Sequence, residues 1–193
     1  MTDHLRILGV SGSLRRASTN TGLLRAAGTL LPTGVSLEIA DISKIPPFNQ
    51  DLEDELPAPV REFKDKVRRA AGILFAVAEY NYSVSGVLKN AIDWASRPPA
   101  DNVWAGKTAA IVSSSVGILG GSRAQYHLRQ SFVFLGIRPV TKPEVFVTFN
   151  TTKFDSAGDL TDPEAKKFLE ALVIELVRLT REVRATARLA ASP

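Results

Sequence analysis

Ile73-Leu74-Phe75-Ala76-Val77-Ala78 is an unbroken apolar run that stops abruptly at Glu79-Tyr80-Asn81-Tyr82-Ser83. A strand with one wet face alternates in polarity, whereas a strand covered by helices on both faces need not, so this run reads as a central strand of a parallel sheet. Toward the N-terminus, Pro59 to Ala70 carries Val60, Phe63 and Val67 at helical spacing among Lys and Arg, with Gly72 as its stop. Before that, Val35 to Asp41 reads as a strand, and Ile45-Pro46-Pro47-Phe48 forces an extended surface connection. Asn20 to Leu31 reads as a helix, and Leu5 to Ser11 as a strand ending in a glycine- and serine-rich turn.

Toward the C-terminus the alternation continues. Val87 to Ala95 is a helix, and Ala109 to Val112 is a buried strand opening into Ser113-Ser114-Ser115-Val116-Gly117. Gln125 to Leu135 is a helix and Val145 to Phe149 a last strand. Pro163 to Arg184 is a long helix with Leu169, Leu172, Leu176, Leu179 and Val183 in one stripe, a face docked on the sheet. Five strand–helix units predict an α/β fold with a doubly wound parallel sheet and helices on both faces. No internal repeat or linker interrupts it, so residues 1–189 read as one domain and 190–193 as a frayed tail.

Composition narrows the chemistry. With 193 residues, 45% of them hydrophobic and 23% charged, the chain can bury a core without disulfide or metal staples. It has no cysteine, which excludes thiol nucleophiles and cysteine-ligated zinc or iron–sulfur centres, and only His4 and His127 supply imidazoles. No metal site is expected, and any redox chemistry must be carried by a bound organic cofactor. The strongest apolar stretch is far shorter than the ~20 residues that span a bilayer, and no secretory pattern opens the chain, so a cytoplasmic protein without a membrane partner is expected. The net charge of +4 is spread among interleaved acids and bases, which speaks against nucleic acid and for small anionic ligands.

Ligands of open parallel sheets bind beyond the carboxyl ends of the strands, where strand order reverses. The loop after strand one, Gly12-Ser13-Leu14-Arg15-Arg16-Ala17-Ser18-Thr19-Asn20, combines hydroxyls, two arginines and a helix N-terminus, a combination suited to a phosphate. Arg15 offers a planar fork, while Ser13, Ser18 and Asn20 offer short directional hydrogen bonds. The plainer alternative is that Ser18, Thr19 or Asn20 only caps the helix. No Gly-Lys-Ser/Thr ending, no Gly-x-Gly-x-x-Gly and no complete Gly-x-Ser-x-Gly elbow is present, which disfavours nucleoside triphosphate hydrolysis, ordinary dinucleotide binding and a serine triad.

The second loop, Glu79 to Ser83, sets two tyrosines and an asparagine where a flat ring system could lie; alternatively the aromatics cover core and Glu79 bonds a nearby loop. The third loop, Ser113 to Gly121, has the small residues that admit close backbone approach and N–H groups able to stabilise negative charge.

These loops, with Leu88-Lys89-Asn90-Ala91-Ile92-Asp93-Trp94, resemble the flavodoxin-like NADPH-dependent FMN reductase family from about Leu5 to Arg184. Gly120-Gly121-Ser122-Arg123, Gln125 to Gln130 and Lys142-Pro143-Glu144 are most similar to its bacterial chromate and quinone reductase branch. The resemblance implies a five-stranded sheet of order 2-1-3-4-5. It places FMN phosphate on Ser13, Arg15, Ser18 and Asn20, and the isoalloxazine between Glu79, Tyr80, Asn81 and Tyr82 on one side and Ser113, Ser115 and Gly117 on the other. It also implies a homodimer or homotetramer using Arg123, Tyr126 and Glu144 between subunits, the plainer alternative being that these are surface polar residues. Asn90 and Trp94 fall on one helix face, supporting a loop or a dimer contact. The family commonly has proline where this chain has Ala78 and Ser85, and losing two fixed φ angles implies a less rigid flavin-side loop.

The activity implied is hydride transfer from NADPH or NADH to FMN and then to a small acceptor such as a quinone, chromate, an azo compound or free flavin, in ping-pong order. The flavin carries the chemistry, so no side chain is assigned a catalytic role. The alternatives are a flavodoxin-type electron carrier docking on a protein partner, and a flavin-sensing regulatory or scaffold protein.

Overall fold

The structure, a computed structural model, describes residues 4–190. Its elements run β1 (Leu5–Ser11), α1 (Thr19–Thr29), β2 (Val35–Ala40), α2 (Ala58–Arg69), β3 (Gly72–Val77), β4 (Glu79–Tyr80), β5 (Ser83–Val84), α3 (Gly86–Ala95), β6 (Thr108–Ser114), α4 (Ser122–Leu135), β7 (Arg138–Pro139), β8 (Val145–Val147) and α5 (Pro163–Ala190). The main sheet is parallel in the order β2-β1-β3-β6, with β7 and β8 both paired to the outer edge of β6. All residues of β3 and β6 are buried, as an apolar run without alternation requires of central strands.

Successive side chains of a strand point to opposite faces, and the core divides accordingly. Ile73, Phe75 and Val77 of β3, with Ala109 and Ile111 of β6, pack toward α2, α3 and α4 together with Trp104, Leu128 and Phe132. Leu74 and Ala76, with Ala110 and Val112, pack toward α1 and α5, meeting Leu23, Leu24, Leu169, Leu172 and Leu176. Phe75 lies 5.7 Å from Trp104 and 5.5 Å from Phe132, ring centroid to centroid. Each such burial contributes roughly 1.5–3 kcal/mol.

The expected strand order is present, with three adjustments. The fifth position is filled by two short segments, β7 and β8, instead of one strand at 145–149. Pro139 and Pro143 carry no N–H for a ladder, so pairing there is confined to a broken edge. Residues 79–83, expected as a loop, form with Val84 an antiparallel hairpin apart from the main sheet. Gly72, expected to stop α2, is instead the first residue of β3. A Cβ on Gly72 would lie 2.8 Å from Thr180 Oγ1, so its small size lets α5 approach the sheet. The long helix continues past Arg184 to Ala190, and the rest of the expected tail, residues 191–193, lies outside the described residues.

Two polar anchors hold connections on the α2–α3–α4 side. Lys64, fully buried, pairs with Asp101 at 2.8 Å and also donates to the Arg97 carbonyl. Asn90 accepts from Phe48 N at 2.7 Å and donates to Pro46 O at 2.8 Å, and Trp94 Nε1 donates to the same carbonyl at 2.8 Å. These two residues therefore support the proline-rich connection.

Candidate functional site

The loops at the carboxyl ends of β1, β3, β6 and β8 meet at one rim of the sheet. After β1, Gly12 N donates to Ala76 O at 2.8 Å, which carries the ladder one residue past the strand. Ser18 then has extended backbone, φ −74° and ψ 121°, and its Oγ accepts from Thr21 N at 3.3 Å, so it caps α1. The Thr19 and Asn20 amides are left without intrahelical partners at the positive end of a helix whose first turn holds no acid. Leu14, Arg15 and Arg16 are exposed beside them, and Ser13 is half-buried. This shelf has directional donors and cationic forks, the chemistry that a phosphate monoester needs.

Asn20 is placed differently from the other three predicted phosphate ligands. Its side chain is buried and bonded at both ends to one residue, Nδ2 donating to Ser114 O at 3.1 Å and Oδ1 accepting from Ser114 N at 3.0 Å. The amide thus works as a clasp between α1 and the end of β6, with both of its polar atoms taken by Ser114.

After β3 the chain turns back at once. Asn81 and Tyr82 have φ of 49° and 69°, and with Tyr80 paired to Ser83 they form the two-residue, left-handed connection that matches strand twist. Asparagine tolerates this region; tyrosine does so at a cost of about 1–2 kcal/mol. The hairpin is pinned to α4: Arg123 Nε donates to Glu79 Oε1 at 2.8 Å, Ala124 N donates to Glu79 Oε2 at 3.3 Å, and His127 Nδ1 lies 3.0 Å from Ser83 Oγ. The Arg123 guanidinium also sits 3.5 Å from the Tyr82 ring centroid. Glu79 is therefore turned inward onto the first turn of helix α4, neither toward solvent nor onto a loop, whereas Tyr80, Asn81 and Tyr82 are exposed.

After β6, Ser113 is fully buried, donating to Gly120 O at 2.6 Å and accepting from Gln125 Nε2 at 2.7 Å. Its hydroxyl holds the loop from beneath and does not face solvent. Gly121, at φ 89°, immediately precedes α4 as its cap, and a Cβ there would lie 2.7 Å from Ser113 Cβ, so both conformation and space demand glycine. Ser115 Oγ accepts from Gly117 N at 3.2 Å, and Val116, Gly117 and Ile118 are exposed. Predicted residues from all three loops thus share one rim. Their exposed members, Arg15, Tyr80, Asn81, Tyr82 and Gly117, form its surface, while Asn20, Glu79 and Ser113 brace it.

Sequence reasoning left out the loop after β8. Phe149, at φ 46°, sends the chain into Asn150, whose side chain is buried between Ser114 Oγ, 2.7 Å away, and Thr19 Oγ1, 3.1 Å away. Gln125 was also missed as a brace. No local pattern marks either residue, since their partners lie far away in the chain.

Tyr126 donates to Glu144 Oε2 at 3.1 Å, and this contact pushes the phenol above its ordinary value. Arg129 lies 4.0 Å from the same carboxylate. Among the described residues no three potential ligands converge as a metal site, and no helix is long and apolar enough to cross a membrane.

Comparison with known proteins bears on what this shelf holds. The model of the NADPH-dependent FMN reductase family matches residues 5–152. An NAD(P)H-dependent FMN reductase of Pseudomonas aeruginosa is 46% identical, with 95% of this chain and 100% of that protein covered. An NAD(P)H:quinone oxidoreductase of Solanum tuberosum is 48% identical, covering 93% of this chain and 95% of that protein. Among solved structures, the flavoenzyme NAD(P)H:(acceptor) oxidoreductase of Paracoccus denitrificans superimposes with a TM-score of 0.84 at 31% identity, over 92% of this chain and 98% of that one.

Proposed function

The chain belongs to the NADPH-dependent FMN reductase family, an oxidoreductase family using FMN with NAD(P)H as electron donor, and from that premise we propose that it is a quinone-type reductase whose cofactor lies on the four-loop rim. In this reading Ser13, Arg15, the Ser18 cap and the first-turn amides of α1 hold the FMN phosphate. The ring system lies between the Tyr80–Tyr82 hairpin and the Ser115–Gly117 loop. The residues fit: the phosphate end has donors and exposed arginines with no acid in the first turn of α1, and the ring end has hairpin backbone fixed in left-handed conformations. When bound, FMN supplies the redox chemistry, taking hydride from NAD(P)H and passing it to the acceptor.

The protein's own tasks are positional. Arg15 adds charge-assisted bonds to phosphate oxygens. The Asn20–Ser114 clasp fixes the distance between the phosphate loop and the ring loop. Arg123, held by Glu79 and stacked on Tyr82, keeps the hairpin against α4. An open face above the tyrosines admits donor and acceptor in succession, which is the basis for ping-pong order.

The single observation that carries the reading is the convergence on one rim of a cationic helix N-terminus, clasped to the end of β6 through Asn20, and an aromatic hairpin pinned to α4. Quinones are favoured as acceptors because relatives 38–50% identical are named as quinone or benzoquinone reductases; chromate, azo compounds and free flavin are further candidates. We also read residues 1–189 as one FMN-binding domain, the protein as cytoplasmic, and the assembly as a homodimer or homotetramer with Arg123, Tyr126 and Glu144 near the subunit boundary. The test is a visible spectrum of the protein with FMN, without air, before and after a small excess of NADPH. Rapid bleaching followed by recovery on adding a quinone is expected. Bound flavin that stays oxidised would favour the electron-carrier alternative, and no binding would overturn the assignment.

A further inference from the structure

Asn150 connects both halves of the rim without facing it. Its Nδ2 donates to Ser114 Oγ at 2.7 Å and to Thr19 Oγ1 at 3.1 Å, and its backbone N–H donates to Ser115 O at 3.2 Å. The preceding residue, Phe149, is held at φ 46°, a conformation that non-glycine residues avoid, so the turn delivering Asn150 is imposed by its surroundings.

An amide nitrogen only donates, so Thr19 Oγ1 is the acceptor in this contact and keeps its own proton to give away. Among the described residues no acceptor takes that proton. Thr19 is also the first residue of α1, adjoining the Ser18 cap and the exposed Arg15 and Arg16. With one lone pair taken from the protein side, the hydroxyl keeps its proton free to turn toward an anion, which the helix dipole favours at this end of α1.

We propose that Thr19 Oγ1 is an additional donor to the cofactor phosphate and that Asn150 is the positioning residue that aims it. This rests on the placement of the phosphate at residues 13–20. Thr19 reads the phosphate and not the ring, and Asn150 acts through Thr19.

Riboflavin lacks only the phosphate, so the ratio of riboflavin to FMN dissociation constants, read by flavin fluorescence on the full chain, isolates this subsite. Thr19→Val is expected to weaken FMN by about tenfold, the loss of one hydrogen bond to a charged group, with riboflavin within twofold. Asn150→Ala is expected to lower the same ratio by a smaller factor. The double variant should be no weaker than Thr19→Val alone, because one residue acts through the other. Asn150→Asp keeps the shape but accepts from both hydroxyls, turning the Thr19 proton inward; its ratio should fall at least as far as that of Thr19→Val.

An unchanged ratio in Thr19→Val overturns the proposal. So do full additivity in the double variant and equal weakening of both flavins in Asn150→Ala, which would mark Asn150 as merely structural. If Arg15→Ala also leaves the ratio untouched, the phosphate-site reading fails as well. If Arg15→Ala collapses the ratio and Thr19→Val does not, this inference alone fails.

Discussion

Two glycines of α1 should respond with opposite sign to the same substitution. A Cβ on Gly22 would lie 1.8 Å from the carbonyl oxygen of Gly158, so Gly22→Ala must push that carbonyl back by about 1.2 Å merely to reach the 3.0 Å below which real contacts essentially never fall. The segment behind it resists. Asp155 Oδ1 accepts from Ala157 N and Asp159 N, both at 2.9 Å, and Arg25 pairs with Asp159. Gly158 itself is wedged at φ 82°, where a Cβ would lie 2.9 Å from the Ala17 backbone. Overpacking against a pinned backbone carbonyl lies at the upper end of its usual range, about 2–3 kcal/mol, and the helix-propensity gain of Gly→Ala returns about 1 kcal/mol, leaving a net loss of about 1–2 kcal/mol. Gly28, one and a half turns further on, is exposed with nothing within 4 Å of its Cβ position. Gly28→Ala therefore keeps only the favourable contribution, about 0.5–1 kcal/mol. Thermal unfolding of the flavin-free protein should show Gly22→Ala melting roughly 2–8 °C lower and Gly28→Ala roughly 1–4 °C higher than the parent. Because Ala17 belongs to the phosphate loop, Gly22→Ala should also bind FMN less tightly. A Gly22→Ala protein as stable as the parent, or both variants shifting the same way, would refute the claim that this backbone contact closes the loop onto the helix.

Arg15→Ala should raise the FMN dissociation constant by at least about tenfold, the loss of a charge-assisted contact, and leave riboflavin unaffected; an FMN affinity within twofold of the parent would show the phosphate lies elsewhere. Burial raises the Asp101 carboxyl, but hydrogen bonds from Lys64 and Arg68 more than offset this, and the net pKa is lowered from 3.8. Its stabilisation is therefore whole above 3.8 and lost as pH falls through the lower folded value. Asp101→Asn should cost about 1–2 kcal/mol at neutral pH, discounted because the carboxylate is half-exposed, and the two denaturation curves should converge in acid; parallel curves at every pH would contradict this. Ser85 has φ −58° and a buried hydroxyl without a partner, so Ser85→Pro should stabilise by up to about 1 kcal/mol, read as a higher melting temperature. A lower one would show that the backbone N–H of Ser85 is needed by the hairpin.

Features that depend on local pattern were legible before folding. The 73–78 run had to be a central strand because no amphipathic surface could cover an element apolar on both faces. Helix α2 was legible because Val60, Phe63 and Val67 recur at the helical period, whereas the cap of α1 was legible only as one of Ser18, Thr19 and Asn20. Glu79 was legible only as a choice between two roles. Tertiary structure decided the rest. Asn20 reads locally as a ligand, yet its amide is taken by the backbone of Ser114, 94 residues away. Strands of two residues such as β4 and β7 have no period to detect and exist through their partners, and Asn81 and Tyr82 accept positive φ because α4 holds the hairpin by Arg123 and His127. Asn150 carries no local signal at all. A buried amide is defined by the groups that satisfy it, and those groups come together only when the chain has closed.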